Sequence, residues 1–276
     1  MEDMKRVLSL EDLKILIIKY YSDERVLYEL VKNLKGREFC FLTPREINEN
    51  GGNYRGIKAH NIGFLKSNFD RFDFFKSTYN LYNSMAYLVE MPMFSYNMAK
   101  RKEQYMWFNK NFKDYFKEYD LGFDFDNKGD FEMCYSEYIE FKNILDEYKV
   151  IYHTKCSGSG FHINIPGEYI VAKTLSEKVK QSALIANALK KDLGITTLNP
   201  EIINTRLIWK TPYSLDVKTG RIALPLDDNQ AKNFDFDMVS PESVLSIKNL
   251  GFRGLLQREG NKDGFTKFVE DYVYGS

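Results

Sequence analysis

Ser157-Gly158-Ser159-Gly160-Phe161-His162-Ile163-Asn164-Ile165 is a run of four small residues followed by five that alternate apolar and polar. Small residues permit a tight turn, and alternation with a period of two marks a strand with one covered face. The stretch therefore reads as a turn feeding a strand. Upstream, Val150-Ile151-Tyr152-His153 reads as the strand that enters the turn. Phe123-Asp124-Phe125-Asp126 alternates too, as a strand with one wet face does. Between these segments Tyr135, Tyr138, Ile139, Lys142, Ile144, Leu145 and Tyr148 recur at helical spacing.

The same reading extends in both directions. Residues 176–193 form the strongest helical pattern, with Ser176 as cap and Gly194 past the end. Ile202 to Trp209 and Arg221 to Leu224 are further strand candidates, and Phe265, Phe268, Val269 and Tyr272 mark a short amphipathic helix. Toward the N-terminus, Ser9 caps a helix carrying Leu13, Leu16, Ile17 and Tyr20. A second helix follows Ser22-Asp23 and ends at Gly36. Glu38 to Leu42 and Tyr54 to Ile57 read as a strand and its return. Residues 64–118 mix aromatic residues with Lys and Asn, and no period dominates. Helices and strands are interspersed without a regular βαβ repeat, which predicts a mixed α/β (α+β) fold. No linker, repeat or low-complexity segment divides the chain, so residues 1–276 read as a single domain.

Lys plus Arg number 39 and Asp plus Glu 39, so net charge is zero. Zero net charge argues against an extended grip on nucleic acid by this chain alone, and for a short footprint or a partner. Cys40, Cys134 and Cys156 are scattered, which predicts neither a disulfide framework nor a zinc site. Reduced thiols fit the cytoplasm. The N-terminus lacks the apolar run of a signal peptide, and Leu13 to Ile18 is too short to span a bilayer, so no membrane association is expected.

Three segments carry chemistry. On a strand Asp124 and Asp126 point to one face, where paired carboxylates suit Mg²⁺ or Mn²⁺; the plain alternative is an exposed edge with two solvated acids. The Ser157–Gly160 turn can offer backbone N–H groups to phosphate, with His162 donating beside it; the alternative is a tight hairpin with a core histidine. Lys218 and Arg221 flank the turn in Lys218-Thr219-Gly220-Arg221, either as phosphate ligands or as a solvated basic turn.

Taken in order, Asp-x-Asp, then Ser-Gly…Gly-Phe-His, then Pro212-Tyr213-Ser214-Leu215…Lys218-Thr219-Gly220-Arg221 resembles the motif series of the archaeo-eukaryotic primase superfamily. The likeness is greatest to the small, catalytic subunit of DNA primase. Tyr20-Tyr21 with Arg37-Glu38-Phe39 resembles that subunit's N-terminal signature, and Arg206 to Asp227 is the most specific match. The resemblance implies a primase catalytic core that includes a unit related to RNA-recognition folds. It implies template-directed primer synthesis from nucleoside triphosphates on single-stranded DNA, with two divalent ions on Asp124 and Asp126. His162 and Lys218 would contact the triphosphate, with Ser157 in the turn beside His162 and with Arg55 and Arg221 as further candidates. The family's third metal carboxylate aligns with Asn199, and Glu201 is the substitute two residues on. The turn is one residue shorter than usual, and no zinc knuckle is expected. A primase large subunit is an implied partner. Two other roles remain: a catalytically silent primase-like subunit that binds nucleic acid, and a stand-alone plasmid, viral or defence-associated enzyme.

Overall fold

The computed structural model describes residues 8–44, 53–90, 92–95, 97–198, 200, 203–251 and 262–275. The chain divides into two compact units, each assembled from three segments. Unit 1 comprises Met1–Lys117, Ile208–Leu224 and Phe236–Gly251; unit 2 comprises Glu118–Leu207, Pro225–Asp235 and Phe252–Ser276.

Unit 1 opens with α1 (Leu10–Tyr21) and α2 (Glu24–Leu34), capped by Ser9 and Asp23, whose side chains accept from the amides of Asp12 and Arg25. Next come β1 (Arg37–Leu42), β2 (Asn53–Ile57), α3 (Ile62–Arg71), α4 (Phe74–Ser77) and β3 (Asn80–Leu88). Then follow α5 (Met98–Lys110), α6 (Phe112–Tyr115) and β4 (Phe116–Tyr119), which leads out of the unit.

β1 is antiparallel to β2 on one side and to β3 on the other. Its alternation splits the strand: Phe39 and Phe41 face the helices, Glu38 and Cys40 the opposite side. Phe41 meets Phe69 at 6.0 Å and Phe74 at 5.1 Å, and Tyr21 of α1 touches both of those rings. These rings are buried. Each contributes about 2–3 kcal/mol by leaving water, so this cluster holds α1, α3 and α4 on the sheet.

Unit 2 begins at the strand that carries the acids. β5 (Leu121–Phe125), α7 (Phe131–Glu147), β6 (His153–Cys156), β7 (Phe161–Ile165) and α8 (Leu175–Asp192) follow in order. The sheet order is β5-β7-β6, with β7 antiparallel to both neighbours. This is the split βαβ arrangement of ferredoxin-like and RNA-recognition folds. Leu198, after α8, bridges Phe125 where such folds place their fourth strand. One face of the sheet is apolar: Phe123 lies 5.0 Å from Phe141 of α7, and Phe161 stacks on Tyr138 at 4.4 Å. The opposite face therefore receives the polar residues of the alternation.

The chain then returns to unit 1 with β8 (Ile208–Lys210), which pairs with β3, and the hairpin of β9 (Leu215–Asp216) and β10 (Arg221–Ile222). α9 (Asp228–Lys232) belongs to unit 2, α10 (Pro241–Ser246) to unit 1 and α11 (Lys262–Val269) to unit 2. The fold is thus mixed α/β, with antiparallel sheets flanked by helices, as the sequence predicts. No helix among the described residues is long and apolar enough to cross a membrane.

Four local expectations shift. The strand expected at 150–153 begins only at His153, because Val150 closes the end of α7 by donating to Leu145 O at 2.8 Å. The one expected at 202–209 is confined, among the described residues, to Ile208–Lys210, since Asn204 O and Oδ1 accept from the amides of Leu207 and Arg206 in a turn. The one expected at 221–224 is formally Arg221–Ile222. The long helix is capped by Thr174, not Ser176, in a capping box with Glu177.

Candidate active site

Register on the polar face of unit 2 determines what meets what. Asp124 pairs across with His162, and His162 with Lys155. Directly opposite residues share a face, so carboxylate, imidazole and ammonium form one row across three strands. His162 Nε2 lies 3.1 Å from Asp124 Oδ1. The imidazole and the carboxylate are thus at ion-pair distance. His162 is buried and Asp124 half-buried, whereas Asp126, just past the strand, is exposed.

The Ser157–Gly160 turn is held against the end of β5. A Cβ on Gly160 would sit 2.1 Å from Phe125 O. Only glycine lets the turn approach the acid-bearing backbone this closely. Ser157 N donates to Gly160 O at 2.8 Å, Gly160 N donates to Ser157 Oγ at 3.2 Å, and Gly158 N donates to Cys156 Sγ at 3.3 Å. Three amides of the turn are thus engaged within it, which limits the phosphate cradle the sequence invites.

The acids are also braced from behind. Glu137 of α7 accepts four hydrogen bonds. Oε1 takes Thr196 N and Oγ1, both at 2.8 Å, and Oε2 takes Thr197 N at 2.8 Å and Oγ1 at 2.5 Å. Thr197 O in turn accepts from Asp126 N at 3.2 Å. Burial would raise the Glu137 pKa, but the bonds from Thr197 and Thr196 prevail and hold it below the ordinary carboxylate value. Cys134 Sγ donates to Phe125 O at 3.2 Å. Its thiol is pushed up to about 12, first by burial and then by the charges of Asp124 and Asp126.

Unit 1 holds the other expected site residues. Lys218 is exposed on the β9–β10 turn. That turn is fixed by buried Asp216, which accepts from Lys210 Nζ and Thr219 Oγ1, each at 2.9 Å. The Arg221 guanidinium lies 3.5 Å over the Phe236 ring. Arg55 pairs with buried Glu38 at 3.3 Å, and Glu38 also accepts from Gly56 N and Tyr105 Oη, each at 3.0 Å. Two distant sequence stretches meet here. Tyr20 Oη donates to Tyr213 O at 3.0 Å, and Leu215 N donates to Tyr21 Oη at 2.9 Å.

The structure therefore gathers Asp124, Asp126, His162 and Ser157 within unit 2, and describes Arg55, Lys218 and Arg221 within unit 1. Asn199 and Glu201 lie outside the described residues. Lys155 and Glu137 were not singled out from sequence. Lys155 becomes visible only once the hairpin register is known, and Glu137 reaches partners about 60 residues away. Among the described residues, no group of three or more His, Cys, Asp or Glu converges as a metal site. The donor set that is present, two carboxylates, is the hard-oxygen type that suits Mg²⁺ or Mn²⁺.

No family model matches the chain, and no curated protein matches it. Among solved structures it is similar to the polymerase domain from Mycobacterium tuberculosis Ligase D in complex with DNA. The TM-score is 0.53 and the identity 11%, over 95% of this chain and 93% of that one. At that identity the likeness is one of fold.

Proposed function

We propose that this chain is a nucleotidyltransferase of the primase-polymerase type, a DNA primase catalytic subunit that joins nucleoside triphosphates along a single-stranded DNA template. The observation that carries the reading is the row in which Asp124 meets His162 beside a glycine turn packed on the same strand end. The motif series in the sequence supports it, as does the fold shared with a polymerase domain. Because that likeness spans 95% of the chain, we treat residues 1–276 as one catalytic domain.

Asp124 and Asp126 would hold divalent Mg²⁺ or Mn²⁺, with position 199 or 201 as the third ligand. Such ions, when bound, lower the pKa of an attacking 3′-hydroxyl and neutralise the departing pyrophosphate. The chain's own residues prepare the site. His162 fixes the Asp124 carboxylate and stands next to where a triphosphate would lie. Lys155 adds positive charge to the same face. Glu137, through Thr197, fixes the backbone of Asp126. Lys218 is a proposed triphosphate contact, with Ser157, Arg55 and Arg221 as supporting groups.

The test is nucleotide addition on primed and unprimed single-stranded templates, with Mg²⁺ and Mn²⁺ compared. Asp124→Ala and Asp126→Ala are each expected to abolish addition while the protein stays folded. Extension near the parent's rate by either variant refutes the metal assignment. A second reading, a silent nucleic-acid-binding subunit, is favoured by the sequence: an amide, Asn199, aligns with the family's third metal carboxylate, and the glycine turn is one residue shorter than usual. It predicts no addition by the parent under either ion, alone or with a large subunit.

A further inference from the structure

The proposed chemistry leaves α5 of unit 1 unexplained. A helix packed on a core normally turns its large apolar residues inward, yet Trp107 is 57% and Met106 63% exposed. A groove of about 400 Å³ runs beside Trp107, lined also by Pro92, Met93, Phe94, Glu103 and Gln104. From Lys100 through Glu103 or Gln104 to Trp107 and Lys110 the steps are three or four residues, so these side chains form one stripe of the helix. At 1.5 Å per residue Lys100 and Lys110 stand roughly 15 Å apart, with the indole between them.

Charge points to the occupant. Between residues 97 and 117, Lys100, Lys102, Lys110, Lys113 and Lys117 are set against only Glu103 and Asp114, an excess of three positive charges at the surface of a chain whose net charge is zero. All five of these lysines are exposed. Arg101 is turned inward and donates to Arg55 O at 2.6 Å and Gly56 O at 3.1 Å, so it braces the groove floor and does not add to its surface. A second copy of the chain would set these lysines against one another. An exposed aromatic face between cations is what sequence-tolerant binding of a single strand uses. Glu103 and Gln104 on the groove wall can accept from or donate to a base edge.

We propose that this groove is a stacking platform for single-stranded nucleic acid, with a base on Trp107 and flanking phosphates on Lys100 and Lys110. The inference rests on the reading that this chain works on a nucleic-acid strand, and it names a surface that holds the strand.

The experiment measures binding of a labelled 20-nucleotide single strand to the full-length chain in EDTA, without nucleotide, so that catalysis plays no part. The chain has two tryptophans, and Trp209 is buried, so quenching of tryptophan fluorescence on titration reports Trp107. Trp107→Ala is expected to weaken binding about tenfold and remove the quenching, while Trp107→Phe retains most of the affinity. Lys100→Gln with Lys110→Gln is expected to reduce the slope of log affinity against log salt by about 1.4. Unchanged melting of each variant shows that the fold is intact. Parent-like affinity of Trp107→Ala overturns the platform, even where the parent extends primers. A dimer in sedimentation that dissolves with Trp107→Ala, at unchanged oligonucleotide affinity, overturns it in favour of a second copy. If the Trp107 variants lose binding but the parent never adds nucleotides, the platform stands and the polymerase reading falls.

Discussion

Replacing Glu137 with alanine removes the acceptor of four hydrogen bonds at once. The consequences differ for the two threonines. Thr196 is exposed, and water takes the place of the carboxylate there. Thr197 is fully buried, so its amide and hydroxyl are left without an acceptor. A buried unsatisfied group costs about 1–3 kcal/mol, so the loss of two acceptors at Thr197 should be about 2–6 kcal/mol. It should be felt locally, because Thr197 O is what holds the Asp126 amide. Hydrogen exchange read on peptides covering 121–130 and 194–198 is the assay. A local loss of about 2 kcal/mol corresponds to roughly 30-fold faster exchange at the Thr197 and Asp126 amides. Exchange within threefold of the parent would refute the clamp. The same bond set has a pH signature. Glu137 is held below the ordinary carboxylate pKa, so its contribution is complete above that ordinary value and disappears as pH falls through the depressed one. Protection at Thr197 in the parent should decline on acidification through that window, and in Glu137→Ala it should already be low and flat.

Three further outcomes follow from the same geometry. Gly160→Ala should fail to fold or be severely destabilised, because its Cβ meets Phe125 O at 2.1 Å; a Gly160→Ala protein with parent-like denaturant midpoint contradicts the described approach. Cys134, buried with its pKa pushed up to about 12, should resist alkylation at pH 8 until the chain is unfolded; mass spectrometry showing rapid native labelling at Cys134 contradicts it. His162→Ala and Lys218→Ala should each weaken nucleoside triphosphate binding by roughly 1–3 kcal/mol with little change in template affinity. Unchanged triphosphate titrations would return both residues to structural roles.

Legibility in the sequence followed the physics of each segment. β5 and β7 were readable because one face is packed on α7 and the other is polar, which imposes a period of two. Val150 and Tyr152 misled because both are buried, and apolar character reports burial before it reports strand. Residues 64–118 were opaque for a related reason. In β3, Asn80, Asn83 and Ser84 are as buried as Leu81 and Met85, so no alternation survives. Arg37 spends its charge on the carbonyls of Ser84 and Met85, and Ser84 Oγ accepts from Glu38 N, so polarity there serves the interior. Thr174 and Glu177 form a capping box that the sequence displays openly, and the cap assigned to Ser176 missed it by two residues. At the site, Asp124, Asp126 and His162 could be picked out by type and spacing. Glu137 could not, since its four partners lie about 60 residues downstream and no local pattern marks an acid on a helix as an anchor for a distant loop.

The interleaving of the two units carries a consequence for how the protein is made. β3 emerges from the ribosome with its Tyr82–Ser84 edge unpaired, and the strand that covers that edge, β8, is not synthesised until about 125 residues later. In the interval all of β5 through α8 is produced, belonging to the other unit. A nascent sheet with an open edge is a template for pairing with another chain. Neither unit is a continuous stretch of sequence, so the boundary near Lys117 that looks natural in space is not a place to cut the gene.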